Sequence, residues 1–248
     1  YKLISFNISF LNFKHFSFLY YPSITFLLAP ALNLIRLQGI VFLIINFFTP
    51  QLVTVYSVTS TIVRSTSIFI HLVSAPLNVE IAKLFSKNEI TRVKKLINIQ
   101  LSFYFWLSLF VMPIFYFYGQ EILFLWLKRN DLFVSEIFIL LILSNSLFLI
   151  SRPYNAFILS INLHMKYLLY CLLVSIILFI FFFVLLGNNL FVNPLYMVLL
   201  IDFSTYVIGI ISIKYILKYD YNDFMESLSL IYLFKFIYRR LLRKLNII

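Results

Sequence analysis

Long apolar runs, each broken by a few polar positions, are the main pattern along this chain of 248 residues. A helix that crosses a membrane needs about 20 mostly apolar residues, and runs of that length recur throughout the chain. Because the runs are continuous and do not alternate, they do not resemble the strands of a membrane barrel. The pattern predicts an all-α integral membrane protein with six transmembrane helices, at residues 22–47, 52–74, 98–118, 132–152, 166–187 and 194–217.

The breaks between these spans have the residues of turns. Thr49-Pro50-Gln51 separates the first two spans, and Gly187 to Pro194 separates the last two. If the amino terminus is cytoplasmic, nearly all Lys and Arg outside the spans lie on the cytoplasmic side, including Arg152 and Lys166 between the fourth and fifth spans. Lys128 and Arg129, between the third and fourth spans, are the exceptions. This asymmetry predicts a multi-pass protein with both ends cytoplasmic.

Composition supports a membrane protein and narrows the partners. The chain is 62% hydrophobic and 12% charged, whereas soluble proteins are about half apolar and a quarter charged. The net charge of +11 comes from residues that flank the spans, so it indicates topology and contact with membrane lipids, and no nucleic-acid partner. Cys171 lies inside an apolar run and is interpreted as a packing residue. No motif for a metal or a cofactor is found.

Two segments outside the spans are predicted to lie along the membrane surface. Residues 221–248 begin with Asp223 three positions before Glu226, as in a capping box, and continue as a basic amphipathic helix. The stretch 76–96 is predicted to be helical and cytoplasmic. The predicted domains are a cytoplasmic arm or inter-lobe linker at 1–21, a six-helix transmembrane lobe at 22–217 and a basic amphipathic cytoplasmic tail at 218–248. A chain that starts with Tyr1 suggests the carboxyl-terminal part of a longer protein.

Two arginines stand near the middle of predicted spans, where charge is costly. Arg36 lies in the first span and Arg64 in the second, and a central Arg costs roughly 2.5–3.5 kcal/mol on insertion scales. Antiparallel neighbours with Arg at the same depth predict one shared cationic site. Neither has an obvious acidic partner, because Glu80 follows the second span and Asp202 is assigned nearer the outer side of the sixth. Asp202 is interpreted as a residue that pairs with a neighbouring helix or couples to an ion.

Other polar residues extend this candidate site. Thr54, Ser57, Thr61, Arg64 and His71 recur at helical intervals on one face of the second span. The predicted cavity residues are Arg36, Arg64, Asn33, Ser57, Thr61 and His71, with Asp202 and Glu80 in coupling or structural roles. The alternative is that these groups join helices by polar contacts. Because guanidinium groups match phosphate and carboxylate oxygens, the site favours an anionic substrate that crosses the membrane.

Several motifs together resemble one family. They are Pro22-Ser23, Gln38-Gly39, Thr61-Ile62-Val63-Arg64, Pro76 with Glu80, and YGQEILFLWL at 118–127. The pattern is similar to polysaccharide flippases of the O-antigen type, in the multidrug/oligosaccharidyl-lipid/polysaccharide exporter superfamily. Two positions depart from it: Ser60 stands where the family often has Arg, and Glu80 is not adjacent to Pro76. One cavity cation of the family is therefore lost here or supplied elsewhere.

The resemblance implies a fold, a substrate and partners. It implies one six-helix lobe of a twelve-helix transporter in the bacterial cytoplasmic (inner) membrane, working by alternating access. The substrate implied is an undecaprenyl-pyrophosphate-linked oligosaccharide repeat unit, with Arg36 and Arg64 binding its pyrophosphate or acidic sugars. The implied partners are a missing amino-terminal lobe, membrane lipids, a polysaccharide polymerase and chain-length proteins.

Three other functions remain open at this stage. A drug/cation antiporter of the same superfamily would need an acidic cavity. A polysaccharide polymerase or a lipid-linked glycosyltransferase would need a large external loop or acidic metal ligands, and Asp220, Asp223 and Glu226 read more simply as the start of a helix. A structural membrane subunit would leave the buried arginines unexplained. We therefore expect a transporter and no enzyme.

Overall fold

The computed structural model describes residues 13–129, 132–161, 164–188, 190 and 192–229, without the side chains of 13–26, 68–73, 164, 221, 226 and 227. Apolar runs of this length form helices because a helix satisfies every backbone polar group within one segment. The described residues form α1 (Phe13–Phe47), α2 (Pro50–Ser86), α3 (Ile90–Leu127), α4 (Ser135–Ser160), α5 (His164–Gly187), α6 (Leu195–Leu217) and α7 (Tyr221–Leu228). The all-helical prediction is confirmed for this part of the chain.

Five of these helices contain segments long and apolar enough to cross a membrane. They are Leu27–Phe47, Ile90–Leu127, Ser135–Ser160, Met165–Gly187 and Leu195–Leu217. The predicted second span, 52–74, is not among them. Its helix α2 carries Thr54, Ser57, Thr61 and Arg64, which lower the mean hydropathy of its described part. The described residues therefore support a multi-pass membrane protein with five candidate spans, and the second span, whose side chains at 68–73 lie outside the described part, stays a prediction.

Helices run further than the predicted spans. The stretch 76–96 is helical, as predicted, except for one turn. It consists of the end of α2 and the start of α3, joined by a turn in which Asn88 has a φ of 61°. The predicted arm at 1–21 is helical from Phe13 onwards, and residues 1–12 lie outside the described part. Pro76, Pro113 and Pro153 all lie inside helices, as neighbouring helices permit in membrane proteins.

Two apolar clusters stabilise opposite ends of the bundle. The first lies around the α1–α2 turn and includes Ile40, Leu43 and Phe138. The second lies around the α2–α3 turn and includes Ile81, Ile97, Phe157 and other buried residues: Tyr154, Ile213 and Leu217. Both clusters draw on α2, α3, α4, α5 and α6, which shows that consecutive helices run up and down the bundle. Helix α4 is central, because it packs against α2, α3 and α6.

The short helix α7 is docked on α3 by polar contacts. Lys94 Nζ donates to Asp223 Oδ2 at 2.7 Å, and Trp106 Nε1 donates to the carbonyl oxygen of Leu228 at 3.1 Å. Partial burial by itself would raise the pKa of Asp223. Hydrogen bonds from Lys94 and from the Asp220 backbone N–H, together with the Lys94 charge, outweigh burial and hold that pKa below its usual value. Helix α7 is the described start of the predicted tail, and residues 230–248 lie outside the described part.

The lowered pKa of Asp223 makes α7 docking depend on pH. The contribution is complete above the ordinary carboxyl pKa of about 4 and is lost as pH falls through the lowered value. In a Trp126→Phe background, Trp106 emission should shift to longer wavelength over that acidic range. Asp223→Asn should show the shifted emission already at neutral pH, with no acidic transition. An identical acidic transition in Asp223→Asn would contradict this assignment.

Gly119 is required by close packing between α3 and α4. A Cβ at this position would lie 2.2 Å from Cε1 of Phe138, whose side chain is 2% exposed and enclosed by Phe115 and Phe133. Gly119→Ala should therefore destabilise the protein by about 1–3 kcal/mol, as overpacking does. Thermal unfolding in detergent measures the effect. Gly187→Ala is the matched control, because its Cβ would meet no atom within 4 Å. Equal melting temperatures for the two variants would refute the packing argument.

Candidate functional site

A layer of polar side chains separates the two apolar clusters. Each of the helices α1, α2, α4 and α6 gives residues to both clusters, and between these residues it carries polar side chains. These polar residues are Arg36, Arg64, Ser144, Asn145 and Asp202. Polar groups at this depth lack water, so each needs a partner or a ligand. The layer is the candidate functional site.

The centre of the layer is a buried ion pair between α1 and α6. Arg36 is 6% exposed and Asp202 is 1% exposed. Arg36 Nε donates to Asp202 Oδ1 at 2.5 Å, and its Nη2 donates to Oδ2 at 2.8 Å, so the guanidinium group binds the carboxylate with both branches of its fork. The hydroxyl of Ser144 on α4 also donates to Asp202 Oδ2. Three helices are joined by one carboxylate.

This pairing corrects the sequence interpretation. The sequence interpretation gives Arg36 no obvious acidic partner and assigns Asp202 nearer the outer side of its span. The pairing of Asp202 with a neighbouring helix, one of its two predicted roles, is the one that the structure shows. Asp202 lies seven residues after the start of α6, and Arg36 lies eleven residues before the end of α1. At 1.5 Å per residue these are depths of about 10 and 16 Å from the same end of the bundle, within reach of a long arginine side chain. Counting depth from the helix ends would have indicated the partner.

Arg152, which was not predicted for the site, contacts the same aromatic ring as Arg36. The Cζ atoms of Arg36 and Arg152 lie 3.9 Å and 4.5 Å from the ring centroid of Phe148, within the range of cation–π contacts. Arg152 was assigned to a cytoplasmic loop, which is wrong because α4 continues through Pro153 to Ser160. Lys166, assigned to the same loop, lies in α5. The loop begins at Ile161, so Arg152 belongs to the bundle.

Arg64 is a cation of the layer that forms no ion pair with a carboxylate among the described residues. Its side chain is partly buried, and its Nη2 donates to the hydroxyl of Tyr56 at 3.2 Å. Among the described residues this hydroxyl is its hydrogen-bond partner, and the positive charge of nearby Arg36 repels it. A guanidinium group with a neutral partner keeps most of its capacity to bind an anion, since it has five donors.

Arg36 and Arg64 line the same narrow cleft, with room for about one water molecule (about 10 Å³). The cleft is completed by Ser60, Ser144 and Asn145 with two apolar residues, Val63 and Leu141. Asn145 Nδ2 donates to the Val63 carbonyl and to Thr66, each at 3.2 Å, while its Oδ1 has no partner in the described part. Ser144 and Asn145 were missed, although Ser144-Asn145-Ser146 visibly interrupts an apolar run.

The remaining predicted site residues do not join this cleft. Asn33, Ser57 and Thr61 are exposed on the outside of the bundle, and the Thr61 hydroxyl donates to the Ser57 carbonyl at 2.8 Å. Glu80 is exposed sixteen residues beyond Arg64, about 24 Å along α2. The side chain of His71 lies outside the described residues. The exposed residues Thr54, Ser57 and Thr61 form what we call the α2 polar face.

Comparison with known proteins finds no protein-family model, curated protein or solved structure that matches the chain.

The ion pair should dominate the stability of the layer. Asp202→Asn leaves a buried guanidinium group without its counter-charge, which costs about 3–5 kcal/mol, and Arg36→Met leaves the carboxylate in the same state. The combined Arg36→Met and Asp202→Leu variant should be more stable than either single variant, because apolar replacement of both partners removes the buried charges. Thermal unfolding in detergent compares them.

The control for this cycle is the surface ion pair of Arg92 and Glu89. Its contact distance is also 2.5 Å, but the Arg92 side chain is 70% exposed. Arg92→Ala should therefore change stability by at most about 1 kcal/mol. Single variants of the buried pair that melt like Arg92→Ala would show that Arg36 and Asp202 are not coupled.

Proposed function

We propose that this chain is part of a membrane transporter that translocates lipid-linked oligosaccharides carrying a pyrophosphate group across a bacterial cytoplasmic membrane. The substrate class is an undecaprenyl-pyrophosphate-linked repeat unit for O-antigen, capsule or exopolysaccharide synthesis. The observation that carries the proposal is Arg64, a partly buried guanidinium group at mid-bundle whose hydrogen-bond partner among the described residues is a neutral hydroxyl. Such a group supports the binding of an anion.

The charge pattern around Arg64 supports an anionic substrate. Asp202, the acid of the polar layer, is bonded to Arg36 and Ser144, so its charge is already matched. Arg64 and Arg152 both lie close enough to Arg36 for their positive charges to interact with it, so the surroundings of Arg36 are rich in positive charge. A drug/cation antiporter would need an acidic group open to its substrate, and a carboxylate held by an arginine fork is poorly suited to that role.

The α2 polar face supports a cavity at the side of the bundle. Thr54, Ser57 and Thr61 are exposed on a helix that packs against α3 and α4 on its other side. Hydroxyl groups that face lipid chains find no hydrogen-bond partner there, whereas hydroxyl groups that line an aqueous cavity can bind sugars. In the proposal an amino-terminal lobe covers this face, and the two lobes alternate access to the cavity. Membrane lipids, a polysaccharide polymerase and chain-length proteins are the proposed partners.

Loss of Arg64 should weaken substrate binding without unfolding the bundle. Removing one charge-assisted hydrogen bond to phosphate, worth about 1.5–3 kcal/mol, weakens binding by roughly 10- to 100-fold. Binding of a short-chain polyprenyl-pyrophosphate sugar to Arg64→Gln, measured by thermal shift in detergent, tests this. Arg64→Lys should retain part of the affinity.

Arg92→Gln is the matched control, because it removes a surface arginine and leaves the polar layer intact. Translocation by the complete transporter should fall with Arg64→Gln in the same order as binding. Unchanged binding and translocation in both Arg64→Gln and Arg152→Gln would exclude the polar layer as the substrate site.

A further inference from the structure

A separate cavity of about 300 Å³ lies at the end of the bundle that carries the α2–α3 turn. Its wall is mostly apolar and is formed by Ile210 and Ile213 of α6 and Phe224 of α7. The volume is at the lower end of the range for sites that bind small molecules. It shares no residue with the cleft of Arg36 and Arg64, so it is independent of the proposed transport site.

Two side chains of opposite charge stand at this cavity. Lys214 lies in the last turn of α6, and Asp220 follows three residues after the end of that helix. Both side chains are exposed, and neither makes an ion pair within the described part of the chain. The end of a membrane-crossing helix lies at the level of lipid headgroups, where charged side chains meet phosphates and ammonium groups.

A third group inside the cavity wall lacks a partner. Tyr154 lines the cavity and is 1% exposed, and its hydroxyl makes no hydrogen bond to the described residues. A buried hydroxyl without a partner is unfavourable by about 1–3 kcal/mol unless a ligand or water satisfies it. An acceptor that reaches into the cavity, such as an ester carbonyl below a headgroup, would accept this hydrogen bond.

We propose that this cavity binds one phosphatidylethanolamine molecule of the surrounding membrane. Lys214 binds the phosphate, Asp220 accepts hydrogen bonds from the primary ammonium group, and an acyl chain lies against Ile210, Ile213 and Phe224. The Tyr154 hydroxyl donates to an ester carbonyl of the lipid. A purely anionic lipid would satisfy Lys214 but would place its headgroup against the Asp220 carboxylate. A choline headgroup would offer Asp220 no N–H donor.

Native mass spectrometry of the purified chain, with equal amounts of palmitoyl-oleoyl phosphatidylethanolamine, phosphatidylcholine and phosphatidylglycerol, tests the proposal. The unmodified chain should retain one phosphatidylethanolamine in preference to the other two lipids. Lys214→Gln should lower retention of that lipid about two- to fivefold, and Asp220→Asn should lower the ratio of phosphatidylethanolamine to phosphatidylglycerol by a similar factor. Lys87→Gln and Glu121→Gln, which remove exposed charges elsewhere, should change neither quantity.

Tyr154→Phe distinguishes a lipid contact from a structural one. Because the hydroxyl has no partner in the described structure, the variant should melt no lower than the unmodified chain in lipid-free detergent. Its retention of phosphatidylethanolamine should fall about two- to tenfold, as expected for one lost hydrogen bond. Equal retention of the three lipids, preference for phosphatidylglycerol, or retention unchanged in all three cavity variants would overturn the proposal. None of these outcomes depends on whether Arg64 binds a transported substrate.

Discussion

The arrangement of this bundle depends on one carboxylate. Asp202 is 1% exposed, and it accepts hydrogen bonds from Arg36 of α1 and from Ser144 of α4. Taking either charge out of water alone would be costly, so each helix that carries one is stable at this depth only with the other in place. The pair therefore determines how α1 lies relative to α6, although apolar packing alone would tolerate several alignments of two apolar helices.

The ion pair also explains why the polar layer stays between two apolar clusters. The first cluster closes the bundle around the α1–α2 turn and the second closes it around the α2–α3 turn, so water is excluded from both ends of the layer. In such surroundings electrostatic interactions are stronger than in water. Phe148 contributes as well, because its ring contacts two guanidinium groups that would otherwise repel each other more strongly.

In the polar layer, one arginine stabilises the bundle and another is proposed to bind the substrate. Arg36 is committed to Asp202, whereas Arg64 has a neutral partner, Tyr56, and lies at the edge of the α2 polar face. A site of this kind can bind an anion without breaking the contact that aligns the helices. The cavity at the end of α6, proposed as a lipid site, is lined by another buried polar residue, Tyr154, whose hydroxyl has no hydrogen-bond partner among the described residues.

Local pattern alone determined much of this protein. Continuous apolar runs and turn residues predicted the helices and their order, because helix formation depends on neighbours in sequence. The same periodicity predicted the α2 polar face, whose residues are exposed in the structure. The six-span topology and the resemblance to flippases remain predictions.

The tertiary structure decided which polar groups meet. Arg36 and Asp202 are 166 residues apart, and no periodicity within one helix links them. Arg152 lies near Arg36 because α4 continues through Pro153. A proline usually predicts a helix end in soluble proteins, but it is tolerated inside packed membrane helices. Helical periodicity places a residue on a face and at a depth, whereas its partner depends on how the helices pack around α4.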